Sequence, residues 1–280
     1  MKLGAHMSIA GGVDQALDRG ASIRCDTIQI FLKNNMQWRG RKFRADEVKR
    51  FGALRQSARI APVFAHSSYL INLGSTNPLF LRRSILALID EINRADCLGV
   101  PFIVMHPGSH MGAGEPAGLR TVARSLDEVF RATSSSKVRI ALETTAGQGS
   151  NLGYRWEHLA EIFQLSDSPG RLAVCVDTCH LFAAGYDIRT AKGYHTAMRQ
   201  LDRTIGGRQV VAFHLNDSKK PLGSRIDRHE HIGKGQLGLA AFRNVLRDPR
   251  WKELPMVLET PKSDDLHEDV ENLRVLRGLL

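Results

Sequence analysis

The sequence predicts a closed (β/α)8 barrel of the TIM type, one domain spanning residues 1–280, and three observations predict it. Short apolar runs recur along the whole chain, each followed by a stretch of helical period, which implies a parallel sheet with helices on its faces. The alternation runs through eight units with no Pro/Gly/Ser-rich linker to divide it, and such barrels routinely run at about 250 residues. Each apolar run also closes on a polar residue: His6, Lys33, His66, His106, Glu143, Asp177, His214 and Glu259. A doubly wound open sheet would accept the same alternation, but it would string those residues along a line. A barrel gathers them on one rim, where the carboxyl ends of all the strands converge.

Taken in order, strand Leu3–Ala5 precedes a helical stretch at Gly12–Ser22, and Thr27–Leu32 precedes Ala45–Ala58. Val63–Ala65 leads to Leu79–Leu98, whose start is marked by Ser75-Thr76-Asn77-Pro78: a capping residue, then proline where a helix tolerates it. Phe102–Met105 pairs with Gly118–Ala132, and Arg139–Leu142 with Trp156–Leu165. Leu172–Val176 is followed by Thr190–Ile205, with Asp187 before Ile188 as a further start signal. Val210–Phe213 leads to Leu239–Leu246, and Met256–Leu258 to Leu266–Leu279.

Composition narrows the class. No apolar run approaches the roughly 18 residues that a membrane span needs, and the first residues lack a signal peptide's apolar stretch, so an intracellular, cytoplasmic protein is expected. Cys25, Cys97, Cys175 and Cys179 form no CxxC pair and read as reduced thiols. The net charge of +10 favours a polyanionic partner. Its cations crowd two stretches: Lys33, Arg39, Arg41, Lys42 and Arg44, then Lys219, Lys220, Arg225, Arg228 and Lys234. Nothing marks a surface for self-association, so a monomer is expected.

From His66 onward the strand-end donors recur at spacings of 40, 37, 34, 37 and 45 residues, each about one βα unit. A single His or Glu at a strand end is accounted for by a cap or a buried hydrogen bond. A whole series in register is not, because unpaired buried carboxylates cost several kcal/mol each in desolvation, which a cation relieves. Two loops add donors. Asp177-Thr178-Cys179-His180 places His180 just past a strand end, where the chain is expected to bend into a loop, and Asp227-Arg228-His229 puts donors at alternate positions of an extended segment. The full set is His66, His106, His180, His214 and His229 with Glu143, Asp177, Asp227 and Glu259. That exceeds what one ion uses and suits two or three ions sharing carboxylates. An imidazole-rich, thiolate-free set fits zinc, with manganese or iron as alternatives. His6 reads as an outer partner of the ligands, and His110, His158 and His195 as surface residues.

The longer motifs are recognisable. His66-Ser67-Ser68-Tyr69-Leu70-Ile71-Asn72-Leu73-Gly74, His106-Pro107-Gly108-Ser109-His110 and Leu142-Glu143-Thr144-Thr145-Ala146-Gly147-Gln148-Gly149 resemble the endonuclease IV family. So do Val176-Asp177-Thr178-Cys179-His180 through Asp187, His214-Leu215-Asn216-Asp217-Ser218, Gly223-Ser224-Arg225 and Asp227-Arg228-His229, and the likeness covers nearly the whole chain. This resemblance implies a barrel with three zinc ions and no organic cofactor. His66, His106 and Glu143 would hold one ion, Glu143 would bridge to a second completed by Asp177, His214 and Glu259, and His180, Asp227 and His229 would hold the third. It implies hydrolysis of the phosphodiester 5′ to abasic sites in duplex DNA, leaving a 3′-hydroxyl and a 5′-deoxyribose phosphate. Metal-bound hydroxide would be the nucleophile, oriented by Glu143, with no covalent intermediate. Tyr69 and Leu70 resemble the family's minor-groove wedge. Lys33-Asn34-Asn35-Met36-Gln37-Trp38 resembles a second wedge loop, in which Met36 stands where some relatives carry Arg. Lys33, Arg225 and Arg228 join these as expected DNA contacts.

Two rivals keep the barrel. A sugar isomerase or epimerase needs only Glu143, Asp177, His214 and Glu259 around one divalent ion, and leaves the other donors unexplained. A catalytically dead DNA-binding protein leaves the complete ligand set unexplained.

Overall fold

The computed structural model describes residues 1–280 and closes the expected barrel. Its eight barrel strands are β1 (Lys2–Met7), β2 (Thr27–Phe31), β3 (Val63–His66), β4 (Phe102–Met105), β5 (Arg139–Glu143), β6 (Leu172–Asp177), β7 (Val210–His214) and β10 (Pro255–Leu258). All neighbours are parallel, and β1 closes the ring by pairing with β2 on one side and β10 on the other. Between β7 and β10 a two-stranded ribbon, β8 (Asp217–Ser218) and β9 (His229–Glu230), projects from the rim. Helices α1 (Gln15–Ser22), α2 (Ala45–Ser57), α3 (Pro78–Leu98), α4 (Glu115–Ala132), α5 (Trp156–Leu165), α7 (Ala191–Thr204), α8 (Leu239–Leu246) and α9 (His267–Arg277) form the outer layer. None is long and apolar enough to cross a membrane.

The period of two along each strand divides the chain's apolar residues between two cores. Leu3, Ala5, Met7, Ile28, Ile30, Val63 and Ala65 face outward into the large core shared with the helices. Phe64, Phe102, Val104, Ala141, Ala173, Cys175, Ala212 and Val257 form a separate plug inside the barrel. Phe64 stacks on Phe102 with ring centroids 4.9 Å apart, and the small residues opposite make room for both rings. At Gly4, on β1, an added Cβ would lie 1.7 Å from the carbonyl oxygen of Thr27, so only glycine permits that pairing. Two residues further along each strand, in the same inward register, come His66, His106, Glu143, Asp177, His214 and Glu259. The packed plug is therefore the floor of the site.

The helix starts were legible in part. Asn77 caps α3 by accepting the Phe80 N–H at 3.0 Å, with Pro78 in the first turn. Asp187 does not start a helix; its carboxylate accepts from Nε and Nη2 of Arg189, and Thr190 caps α7 instead. The segment after Asp177 is not a loop either. It is a short helix, α6 (Thr178–Ala184), capped by Asp177 itself, whose Oδ1 accepts the His180 N–H at 2.8 Å.

Candidate metal centre

The nine donors expected from the sequence come together at the rim in three adjoining groups: His66, His106 and Glu143; Glu143, Asp177, His214 and Glu259; and His180, Asp227 and His229. Within each group the ligand atoms lie within 4.8 Å of one another. Glu143 belongs to two groups because its oxygens face different ways. Oε2 is 3.1 Å from His66 Nε2 and 3.2 Å from His106 Nε2, while Oε1 is 2.9 Å from His214 Nδ1. His214 Nδ1 also lies 3.1 Å from Glu259 Oε2. In the third group Asp227 places its oxygens 3.1 Å from His180 Nε2 and 3.2 Å from His229 Nε2. Donors at about 2.0–2.2 Å from a tetrahedral ion stand roughly 3.3–3.6 Å from one another, so the groups need open by only a few tenths of an ångström to surround such an ion.

The hydrogen bonds on the far side of the imidazoles decide what faces inward. His66 Nδ1 donates to the Ser67 carbonyl at 2.7 Å, His180 Nδ1 to the Thr144 carbonyl at 2.8 Å, and His229 Nδ1 to the Glu259 carbonyl at 3.1 Å. His214 Nε2 donates to Gln29 Oε1 at 2.8 Å. With the proton committed outward, each neutral ring turns a lone pair towards carboxylate oxygens that also carry only lone pairs. Such an array is repulsive unless a proton or a metal cation lies between, and outward N–H bonds of this kind are the usual mark of metal-ligating histidines.

The electrostatics agree. Burial opposes charge on every one of these groups, yet the surrounding imidazoles hold Glu143 and Glu259 well below the usual carboxylate range. Burial likewise opposes protonation of His180 and His214, but the facing carboxylates and, for His214, the Cys175 thiol outweigh it and raise both well above the usual imidazole value. For His229 the Asp227 hydrogen bond and the Asp177 charge overcome burial and bring it to about 9. These carboxylates and imidazoles are arranged to share positive charge.

Two positioning residues escaped the sequence reading. Gln29, fully buried on β2, donates to Glu259 Oε1 at 2.6 Å, bonds His6 Nδ1 at 2.9 Å and accepts from His214. Its signal was one polar residue inside an otherwise apolar strand. Asn216 donates to Asp177 Oδ2 at 2.6 Å and accepts the Glu259 N–H at 2.8 Å, joining two ligands of one group. His6 sits where an outer partner should, on Gln29 and 3.6 Å from Glu259.

The expected DNA-facing residues divide. Met36 and Tyr69 are exposed, at 67% and 57%, and Arg225 and Arg228 are also exposed, Arg225 stacking 4.3 Å above the Tyr154 ring. Leu70 is half-buried. Lys33 departs from expectation: at 4% exposure its ammonium is turned into the protein against Glu91, so it is not offered to a phosphate. Two other cations of its cluster are neutralised as well, Arg41 by Glu47 and Arg44 by Asp46, while Arg39 and Lys42 are in no ion pair. His158 is likewise not a surface residue; it is buried, with Nδ1 accepting the Gly153 N–H at 3.1 Å. A cavity of about 670 Å³ opens beside Glu259, lined by His6, Phe31, Tyr69 and Lys262 among others.

Barrel and donor set define a metal-binding (β/α)8 protein, and residues 17–279 match the family model described as a xylose isomerase-like TIM barrel. The chain is 49% identical over 279 residues to a protein of Chloroflexus aurantiacus named probable endonuclease 4, covering 100% of this chain and 98% of that one. The probable endonuclease 4 of Geobacter sulfurreducens is 46% identical, covering 99% and 94%. The crystal structure of endonuclease IV from Thermus thermophilus matches with a TM-score of 0.88 at 37% identity, covering 100% and 98%. The chain belongs to the endonuclease IV family. A D-tagatose 3-epimerase-like protein, with a TM-score of 0.76 at 20% identity over 100% and 97%, shares the fold alone.

Proposed function

We propose that this protein is a zinc-dependent endonuclease that hydrolyses the phosphodiester 5′ to abasic sites in duplex DNA, leaving a 3′-hydroxyl and a 5′-deoxyribose phosphate. The observation that carries this reading is the set of three adjoining donor groups, in which His66, His180, His214 and His229 turn their imidazole protons outward. A sugar epimerase on this barrel would use only the group around His214. It would leave His66, His106, His180, Asp227 and His229 without a task. Five imidazoles, four carboxylates and no thiolate among the three groups suit three zinc ions. When bound, such ions supply Lewis acidity and bring the pKa of coordinated water to about 7.

The chain's own residues supply the rest. Glu143, fully buried and facing two groups, holds their spacing and orients the attacking water between them. Exposed Tyr69 and Met36 stand on two rim loops as wedges for the minor groove, and Arg225 and Arg228 provide phosphate contacts on the ribbon loop. An abasic nucleotide has no base pair to break, so a wedge that unstacks the duplex extrudes it at lower cost than an intact one. The test is incision of an abasic duplex and its intact counterpart at matched salt, with and without a chelator, metal content being measured in parallel. Chelator-sensitive incision confined to the abasic strand is expected. Equal cleavage of both duplexes, or one ion per chain with ketose–aldose interconversion, would overturn it.

A further inference from the structure

Beneath the two wedge loops lies a buried ion pair. Lys33, two residues past β2, reaches Glu91 of α3, and the two side chains are 2% and 1% exposed. The same carboxylate oxygen accepts the Ser68 N–H at 3.1 Å, one residue before Tyr69. Ser68 Oγ closes the triangle by donating at 2.6 Å to the carbonyl of Asn35, one residue before Met36. One helical turn further along α3, Arg94 donates to the carbonyls of Leu32 and Arg41, each at 2.8 Å, and lies 4.1 Å above the Phe43 ring. A single helix thus grips both ends of the Met36 loop and the start of the Tyr69 loop.

Stability does not account for this arrangement. A buried ion pair rarely outperforms a well-packed apolar pair of the same volume, because desolvating two charges costs about as much as their attraction returns. Here the second oxygen of Glu91 is buried with no partner at all, which adds to the cost. What the charges provide and an apolar contact does not is direction: they fix one loop against the other through hydrogen bonds of defined geometry.

Building on the DNA-repair reading above, we propose that Lys33, Glu91 and Ser68 form a tether that sets the spacing of Met36 and Tyr69, so that both enter the duplex together at the lesion. These are positioning residues. They touch neither metal nor DNA, and their effect is on recognition of the duplex.

The proposal is tested on zinc-loaded protein with two variants. Glu91→Gln keeps the shape and the acceptor for Ser68 but loses the charge. Lys33→Met combined with Glu91→Leu removes both charges and refills the volume with apolar atoms. Incision of an abasic duplex is compared with hydrolysis of bis(p-nitrophenyl) phosphate, a small diester that reads the metal centre without the loops. Both variants are expected to raise KM for the duplex about tenfold or more while kcat stays within about twofold. Metal content and small-diester hydrolysis should not change, and the double variant should melt no lower than wild type. A double variant with wild-type KM, or equal losses on duplex and small diester, would overturn the tether. Wild-type protein that neither binds nor cuts an abasic duplex would instead sink the functional reading, a distinct outcome.

Discussion

Glu143 Oε1 lies 2.9 Å from His214 Nδ1, with both side chains fully buried, while the other oxygen of the same carboxylate faces His66 and His106. One carboxylate therefore serves two groups of donors, and no neighbouring side chain can replace it. Glu143→Gln keeps the volume but turns an NH2 towards one group. Metal content is expected to fall, and incision to drop by more than the roughly 10–100-fold that outer partners of ligands cost. Metal analysis and incision kinetics on the same preparation check this; a fully loaded, fully active variant would remove Glu143 from its assigned role.

Most of this arrangement was legible in the sequence because barrel geometry converts spacing into proximity. Strand ends one βα unit apart must meet on one rim, so spacing alone places His66, His106, Glu143, Asp177, His214 and Glu259 together. Side-chain direction beyond the strand end was not legible. Lys33 has the same inward parity as Gln29 and Phe31, and only the position of Glu91 on a helix 58 residues away turns it from the rim into the interior. Asp187 likewise carries a capping residue's chemistry, yet a local bond to Arg189 claims it.

The ribbon that carries Asp227 and His229 is held by residues that touch no metal group. The Asp227 N–H donates to Gln148 Oε1 at 3.1 Å, across from the loop after β5. At the ribbon's base, buried Asp217 accepts the N–H groups of Ser218, Gly233 and Leu237 at 2.8, 3.0 and 2.9 Å. Gln148→Ala should loosen only the group formed with His180, weakening its ion about 10–100-fold while the others stay bound. Metal titration under a graded chelator should then show one ion released early. Uniform loss of all ions, or no change, would show that Gln148 does not position this group.

Without metal, the imidazoles and carboxylates hold one another as ion pairs, and this sets a pH dependence. His180, His214 and His229 have raised values in the folded chain, the last at about 9, so their contribution is complete below the ordinary imidazole value of about 6.5. For His229 it is lost as pH rises through about 9, and for His180 and His214 as pH rises through their own raised values. Glu143, Glu259 and Asp227 are depressed, so theirs is present above about 4.5 and lost as pH falls. Chelated protein should lose melting temperature from pH 6.5 to 9, and His229→Asn should lessen that loss. Metal needs neutral imidazoles, so the stabilisation it adds should widen over the same range. A metal-induced shift in Tm that shrinks with rising pH would contradict the ligand assignment.

Met36 is where apolar and electrostatic recognition can be separated. Its side chain is 67% exposed, so Met36→Ala should leave the melting temperature unchanged. A wedge acts by filling the unstacked step, and that contribution carries no counterion release. Met36→Ala should therefore weaken binding to an abasic duplex without altering the slope of log affinity against log salt. Arg228→Gln should lower affinity for abasic and intact duplexes alike and reduce that slope by about one, as expected of a phosphate contact. Met36→Arg adds a cation at the same place, so the slope should steepen by about one if the loop enters the groove. Fluorescence anisotropy over a salt series on both duplexes distinguishes the three. A Met36→Arg variant whose slope matches wild type would mean that this loop does not approach the backbone, and the wedge would then rest on Tyr69 alone.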